Sequence, residues 1–79
     1  MEVRIGPGLV HTFPANTING SATLENRHGV QGIVTYQVGN APQVRMPFDP
    51  QTHDARVQVS GQQFMVNNGL PNSIYCIYE

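Results

Sequence analysis

The sequence of 79 residues contains no lysine, no tryptophan and a single cysteine, Cys76. One cysteine excludes an internal disulfide bond. Charged residues make up 11% of the chain, whereas ordinary soluble domains contain roughly 25%. Four scattered arginines and a net charge of −1 provide no basic patch that could neutralise phosphates, so we expect no nucleic-acid partner.

Long apolar runs are also absent from the sequence. No stretch approaches the roughly 18 apolar residues of a membrane-spanning helix. The first ten residues lack the basic region and apolar run of a signal peptide. We therefore expect no membrane partner and no secretion by a signal peptide, and a chain that is made and used, or assembled, in a reducing cytosol.

Apolar and polar residues alternate along most of the chain, which predicts an all-β protein. In residues 29–38, for example, Val34 and Val38 share one face. Pro47 cannot donate to a central ladder, so its strand is predicted at a sheet edge or a bulge. The candidate strands are residues 2–5, 9–13, 29–38, 44–48, 56–60, 63–66 and 73–79.

Residues 21–25 allow two interpretations. They form either a further strand or part of a hairpin closed at Asn19-Gly20, a pair that suits a type I′ turn. With either interpretation, we predict that residues 1–79 form one domain. Its fold class is all-β, a small β-sandwich or β-barrel of about seven short, mostly antiparallel strands.

The C-terminal segment, residues 73–79, is apolar on both faces. Ile74 and Cys76 alternate with Tyr75 and Ile77. This pattern is typical of a strand that is covered on both sides, either centrally between two layers or pressed between subunits.

The densest group of titratable residues lies in residues 49–56 and includes Asp49, His53, Asp54 and Arg56. An imidazole and two carboxylates are acceptable ligands for a transition metal. The spacing of a calcium-binding loop is absent, however. A solvated loop with an Asp-Pro turn is the favoured interpretation, and we predict no metal ion and no cofactor.

Nucleophilic catalysis needs a serine or cysteine beside a histidine and an orienting carboxylate, and no pattern in the sequence indicates such a triad. His11 shares the apolar phase of its strand with Leu9 and Phe13, which favours a hydrogen-bonded core or interface imidazole. Cys76 is predicted to be a buried and inert thiol. We therefore predict no catalytic residue and no enzymatic activity.

A single core of this size rarely supplies more than ~3–5 kcal/mol of stability. Without a disulfide bond or a metal, association with other chains is the remaining source of stability. A surface of neutral polar residues suits a subunit packed among neighbours, because interfaces are depleted in Lys, Glu and Asp. The candidate residues for self-association or for a partner interface are Val10, Tyr75 and Ile77.

In overall style the chain resembles the small capsid decoration, or cement, proteins of tailed phages. Those are compact all-β chains of this size that are poor in lysine and rich in Asn, Gln, Gly and Thr. The resemblance implies a structural protein of the virion that forms homo-oligomers, with a trimer favoured. It also implies the major capsid protein or another virion protein as partner, whose neighbouring subunits it bridges. A minor tail or baseplate subunit would look nearly the same.

Two alternatives remain open at this point. A small phage or bacterial inhibitor could block the surface of a host protein. A small sugar-binding module without tryptophan could use Asn, Gln and His for hydroxyl groups and Tyr36, Tyr75 or Tyr78 for stacking.

Overall fold

The computed structural model describes residues 1–51 and 54–79. The strands are β1 (Glu2–Ile5), β2 (Val10–Phe13), β3 (Ser21–Glu25), β4 (Gly32–Val38), β5 (Val44–Phe48), β6 (Asp54–Gln58), β7 (Phe64–Asn68) and β8 (Ile74–Ile77). Nothing in the described ranges is helical, so no helix capable of crossing a membrane is found there.

The strands form two four-stranded sheets. Sheet A has the order β1-β8-β3-β6 and sheet B the order β2-β7-β4-β5. All strand pairs are antiparallel. Two sheets with this strand order form a jelly roll, one of the architectures of small all-β domains.

The all-β prediction is confirmed, with eight strands among the described residues instead of about seven. The additional strand is β3, for which the sequence left two interpretations open. It pairs with β6 and β8 in sheet A, while β2 belongs to sheet B. Asn19-Gly20 therefore connects the two sheets and does not close a hairpin.

The core lies between the sheets, where alternate side chains of each strand point inward. The buried apolar residues are Ile5, Phe13, Ile18, Ala22, Leu24, Val34, Phe48, Val57, Val59, Phe64, Val66, Leu70, Ile74, Cys76 and Tyr78. Aromatic rings join the two layers, since the Phe13 ring of sheet B lies 5.5 Å from the Tyr78 ring beyond β8. Burial of this apolar surface is the main favourable contribution to folding.

Pro47 and Gly39 lie at positions that suit their backbone properties. Pro47 lies in β5, at the edge of sheet B, which confirms the prediction from its missing donor. The connection from β4 to β5 is a tight turn in which Gly39 adopts a φ of 56°, a conformation that glycine reaches without steric cost.

The C-terminal strand β8 lies between β1 and β3 in sheet A, but only one of its faces packs against another layer of the chain. The predicted position between two layers is therefore wrong, and a position between subunits stays a prediction. Ile74 and Cys76 are completely buried, whereas Tyr75 and Ile77 are half-buried on the outer surface of the sheet. Hydrogen bonding to β1 on one side and to β3 on the other holds this segment in the sheet, although it lies near the C-terminus.

One predicted core residue is exposed. Leu9 was expected to point inward with His11 and Phe13, but 59% of its surface is accessible. Strand β2 begins only at Val10. Before it, Gly8 has a φ of 74°, and the resulting turn removes Leu9 from the alternation of the strand.

Asn68 is a buried polar side chain of β7 that joins the two sheets. Its Nδ2 group donates to the carbonyl oxygens of Ile5 at 3.0 Å and Gly6 at 3.1 Å, at the end of β1. The same group donates to the Asn72 carbonyl at 2.9 Å, and Oδ1 accepts from the Leu70 N–H at 2.9 Å. The amide therefore satisfies backbone groups from both layers and from the loop that leads to β8.

We expect Asn68→Ala to lower the free energy of unfolding by about 3 kcal/mol, because each buried backbone group that loses its partner costs ~1–3 kcal/mol. Urea denaturation followed by circular dichroism measures this change. Asn67→Ala removes the same side chain from the exposed neighbouring position and should change stability by less than ~0.5 kcal/mol. Equal effects of the two substitutions would contradict a structural role for Asn68.

Candidate functional site

The outer surface of sheet B carries almost no charge. Strand alternation turns outward Val10, Thr12, Ile33, Thr35, Gln37, Arg45, Pro47, Met65 and Asn67. We call this surface the neutral face. None of these residues is acidic, and Arg45 alone among them is charged.

Exposed aliphatic side chains concentrate on and beside the neutral face. Val10 and Ile33 project from it with 55% and 38% of their surfaces accessible. Leu9 precedes β2, and Val44 is 41% exposed at the free edge formed by β5. Of the exposed large apolar side chains in the described ranges, only Met1 lies elsewhere. An apolar surface of this kind, bordered by neutral polar groups, is typical of a protein-binding surface.

The outer surface of sheet A is charged. Its outward residues are Glu2, Arg4, Ser21, Thr23, Glu25, Asp54, Arg56, Gln58, Tyr75 and Ile77. We call this surface the charged face. Its charges include both signs and partly neutralise one another within the chain.

Arg27, in the turn after β3, organises part of the charged face. Its guanidinium lies 4.0 Å from the centre of the Tyr75 ring, a cation–π contact. Its Nε donates to Glu25 Oε1 at 2.8 Å, and its Nη2 pairs with Glu2. The hydrogen bond from Arg27 lowers the pKa of the Glu2 carboxyl. Arg27 thus covers Tyr75 without a partner chain.

The three candidate interface residues do not form one patch. Val10 lies on the neutral face, whereas Tyr75 and Ile77 lie on the charged face, on the opposite side of the molecule. Arg27 covers Tyr75, whereas Val10 and Ile33 are exposed on the neutral face.

Ile77 borders a cleft of about 820 Å³ on the charged face. The residues around it include Met1, Asn19, Thr23, Arg56, Ile77 and Glu79. The register of sheet A explains this grouping, because Thr23 is directly opposite Ile77 on β8 and Arg56 on β6. Polar side chains and the aliphatic side chain of Ile77 therefore lie side by side at the cleft. Sequence patterns could not reveal the cleft, since its residues come from distant segments.

The titratable cluster proposed in residues 49–56 lies partly outside the described residues, because His53 is not among them. Asp49 Oδ1 accepts a hydrogen bond from the Gln51 N–H at 2.8 Å, which closes a local turn. Within the ranges that the structure describes, no three His, Cys, Asp or Glu side chains are grouped to hold a metal ion.

The remaining candidate reactive groups face the core. His11 is half-buried, and its ring centre lies 4.5 Å from that of Phe13. Cys76 is fully buried, and burial raises the pKa of its thiol to about 11. A thiol that holds its proton this strongly is a poor nucleophile at neutral pH.

No family model matches the chain, and no curated protein matches it in sequence. The two faces and the cleft are therefore the features from which its function is inferred.

The Cys76 thiol should make stability depend on pH. Burial raises its pKa from 9.0 to about 11 in the folded state, so above pH ~9 the unfolded chain loses this proton first and stability falls as pH rises to ~11. We expect Cys76→Ala to reduce this fall. Urea midpoints of both proteins at pH 7 and pH 10.5 measure the difference. An identical decrease in the two proteins would show that the thiol does not contribute.

Proposed function

We propose that this protein is a non-enzymatic structural subunit of a virus particle, a capsid decoration protein that binds neighbouring capsid subunits through the neutral face. The observation that carries the proposal is the acid-free neutral face, where Val10 and Ile33 are exposed. Protein interfaces are depleted in Lys, Glu and Asp and retain Arg. The neutral face has this composition.

The architecture supports the proposal by analogy. Jelly rolls include viral capsid domains as well as lectins and cupins. A fold by itself does not determine function, so the analogy adds to the argument from the neutral face and does not replace it. The expected location is the virion, after assembly in the cytoplasm.

Arg45 specifies the chemistry of the partner surface. It has no carboxylate partner among the described residues, and no acidic group shares its face. Covering its guanidinium without a counter-charge would be costly. The partner surface, on the major capsid protein or another virion protein, therefore presents a carboxylate opposite Arg45 and apolar groups opposite Ile33.

The mechanism needs binding alone. Each copy that bridges two subunits adds contacts that must break before the subunits separate. A trimer multiplies these contacts, because after the first attachment the others form at high effective concentration. Leu9 and Val10, exposed at the β2 edge, provide an apolar surface for self-association.

Two exposed arginines allow a matched test of the partner interface. Neither Arg45 nor Arg56 has a carboxylate partner in the described parts of the chain, but they lie on opposite faces. We expect Arg45→Glu to weaken binding to capsid particles at least about tenfold, equivalent to ~1.4 kcal/mol, while Arg56→Glu leaves it unchanged. Co-sedimentation with particles purified from the source measures both variants.

The same particles test the function itself. Mass spectrometry should detect the chain in purified particles in stoichiometric amounts. Its absence from particles would contradict the proposal and favour an inhibitor of a host protein instead. Presence in particles with equal binding by the Arg45→Glu and Arg56→Glu variants would retain the function and reject the neutral face as the interface.

Self-association is tested by a charge on each face. Val10→Glu should shift a trimer toward monomer, because the carboxylate would have to be desolvated at the apolar β2 edge. Ile77→Asp, on the charged face, should leave the trimer in place. Sedimentation velocity measures both, with circular dichroism to confirm folding. A monomeric wild-type chain would contradict the oligomer, and dissociation by Ile77→Asp alone would assign it to the charged face.

A further inference from the structure

Several polar side chains that border the cleft on the charged face make no hydrogen bond or ion pair with the rest of the described chain. Asn19, Thr23 and Arg56 border it, and none of them has a side-chain hydrogen bond or ion pair to another described residue. Two other arginines are engaged: Arg4 Nε donates to Ser73 Oγ at 3.0 Å, and Arg27 pairs with two carboxylates. The donors around the cleft are therefore available to a ligand.

Aliphatic side chains also border the cleft. Ile77 is half-buried there, and Met1 is 76% exposed beside it. Arg56 and Ile77 lie on either side of Thr23, so their backbones are separated by two strand spacings, about 10 Å. This width suits a ligand of one ring that contacts a guanidinium at one end and aliphatic carbon at the other.

The size of the cleft is that of a small-molecule site. Its volume of about 820 Å³ falls within the range of roughly 300–1,000 Å³ for ligand pockets. About half of the lining of the cleft is polar, which suits a ligand that carries several hydroxyl groups.

The Arg56 guanidinium borders the cleft and has no carboxylate partner among the described residues, which matches a ligand with one carboxylate. A guanidinium recognises a carboxylate through two parallel hydrogen bonds. Glu79 also borders the cleft, as does Met1, whose ammonium group donates to the Tyr78 carbonyl oxygen. Asn19 and Thr23 offer donors and acceptors for hydroxyl groups.

We propose that this cleft binds a monocarboxylated sugar, such as a uronic acid. The carboxylate contacts Arg56, the hydroxyl groups contact Asn19 and Thr23, and the carbon-bound hydrogens of the ring contact Ile77. This site goes beyond the role in the particle and does not depend on it, because it lies on the opposite face from the neutral face.

Nuclear magnetic resonance titration of the labelled protein tests the site. Glucuronate should cause saturable shifts of the Thr23 amide and the Ile77 methyl groups, with millimolar affinity or better. Arg56→Gln should weaken binding at least tenfold. Arg45→Gln removes an equally exposed guanidinium from the other face and should leave the affinity unchanged. Thr23→Val, which keeps the shape of the side chain, should weaken binding through loss of the hydroxyl group.

Glucose and acetate separate the contributions to binding. Glucose lacks the carboxylate and acetate lacks the sugar, so both should bind at least tenfold more weakly than glucuronate. Equal affinity for acetate would mean a simple anion contact and would overturn the proposal. It would also be overturned by equal affinity for glucose, by unchanged binding in the Arg56→Gln variant, or by the absence of saturable shifts. The dispersed spectrum of each variant verifies that it is folded.

Discussion

The amide of Asn68 is the interaction on which the arrangement of this small jelly roll depends. The chain has no disulfide bond, and its first strand pairs with its last, Glu2 opposite Ile77. Asn68 attaches the end of β1 and the loop before β8 to sheet B through hydrogen bonds between its side-chain amide and backbone groups. A side chain that can both donate and accept is needed there, because Asn68 donates to backbone carbonyl groups and accepts from the Leu70 N–H.

With the sheets held in this way, strand alternation divides the surface into two chemically different faces. On the charged face, Arg27 satisfies Glu2 and Glu25 and covers Tyr75. The neutral face has no such internal pairs. It can therefore be covered by a partner without removing ion pairs from water, which is the costly step in burying a charged surface. Most charged residues of the strands thus lie on one side of the molecule, the charged face.

Local pattern predicted much of the fold. Alternation located the strands and the inward Val34 and Val38, and the missing donor of Pro47 placed β5 at an edge. The pattern was wrong for Leu9, where a turn at Gly8 interrupts the alternation. It carried no signal for Asn68, because residues 67–69, Asn-Asn-Gly, have the composition of a turn, and a buried amide is recognised only by its partners.

The sequence by itself determined that the chain is all-β and which side chains of most strands point inward, because these properties depend on neighbours along the chain. Only the tertiary structure decided which strands share a sheet. That choice placed Val10 on the face that points away from Tyr75 and Ile77. It also brought Thr23, Arg56 and Ile77 together around one cleft and left Arg45 as the only charged residue of the neutral face. The physical reason is that strand pairing can join segments as far apart as the two ends of the chain. It uses backbone groups that every residue possesses, so residue type alone does not identify the partner strand.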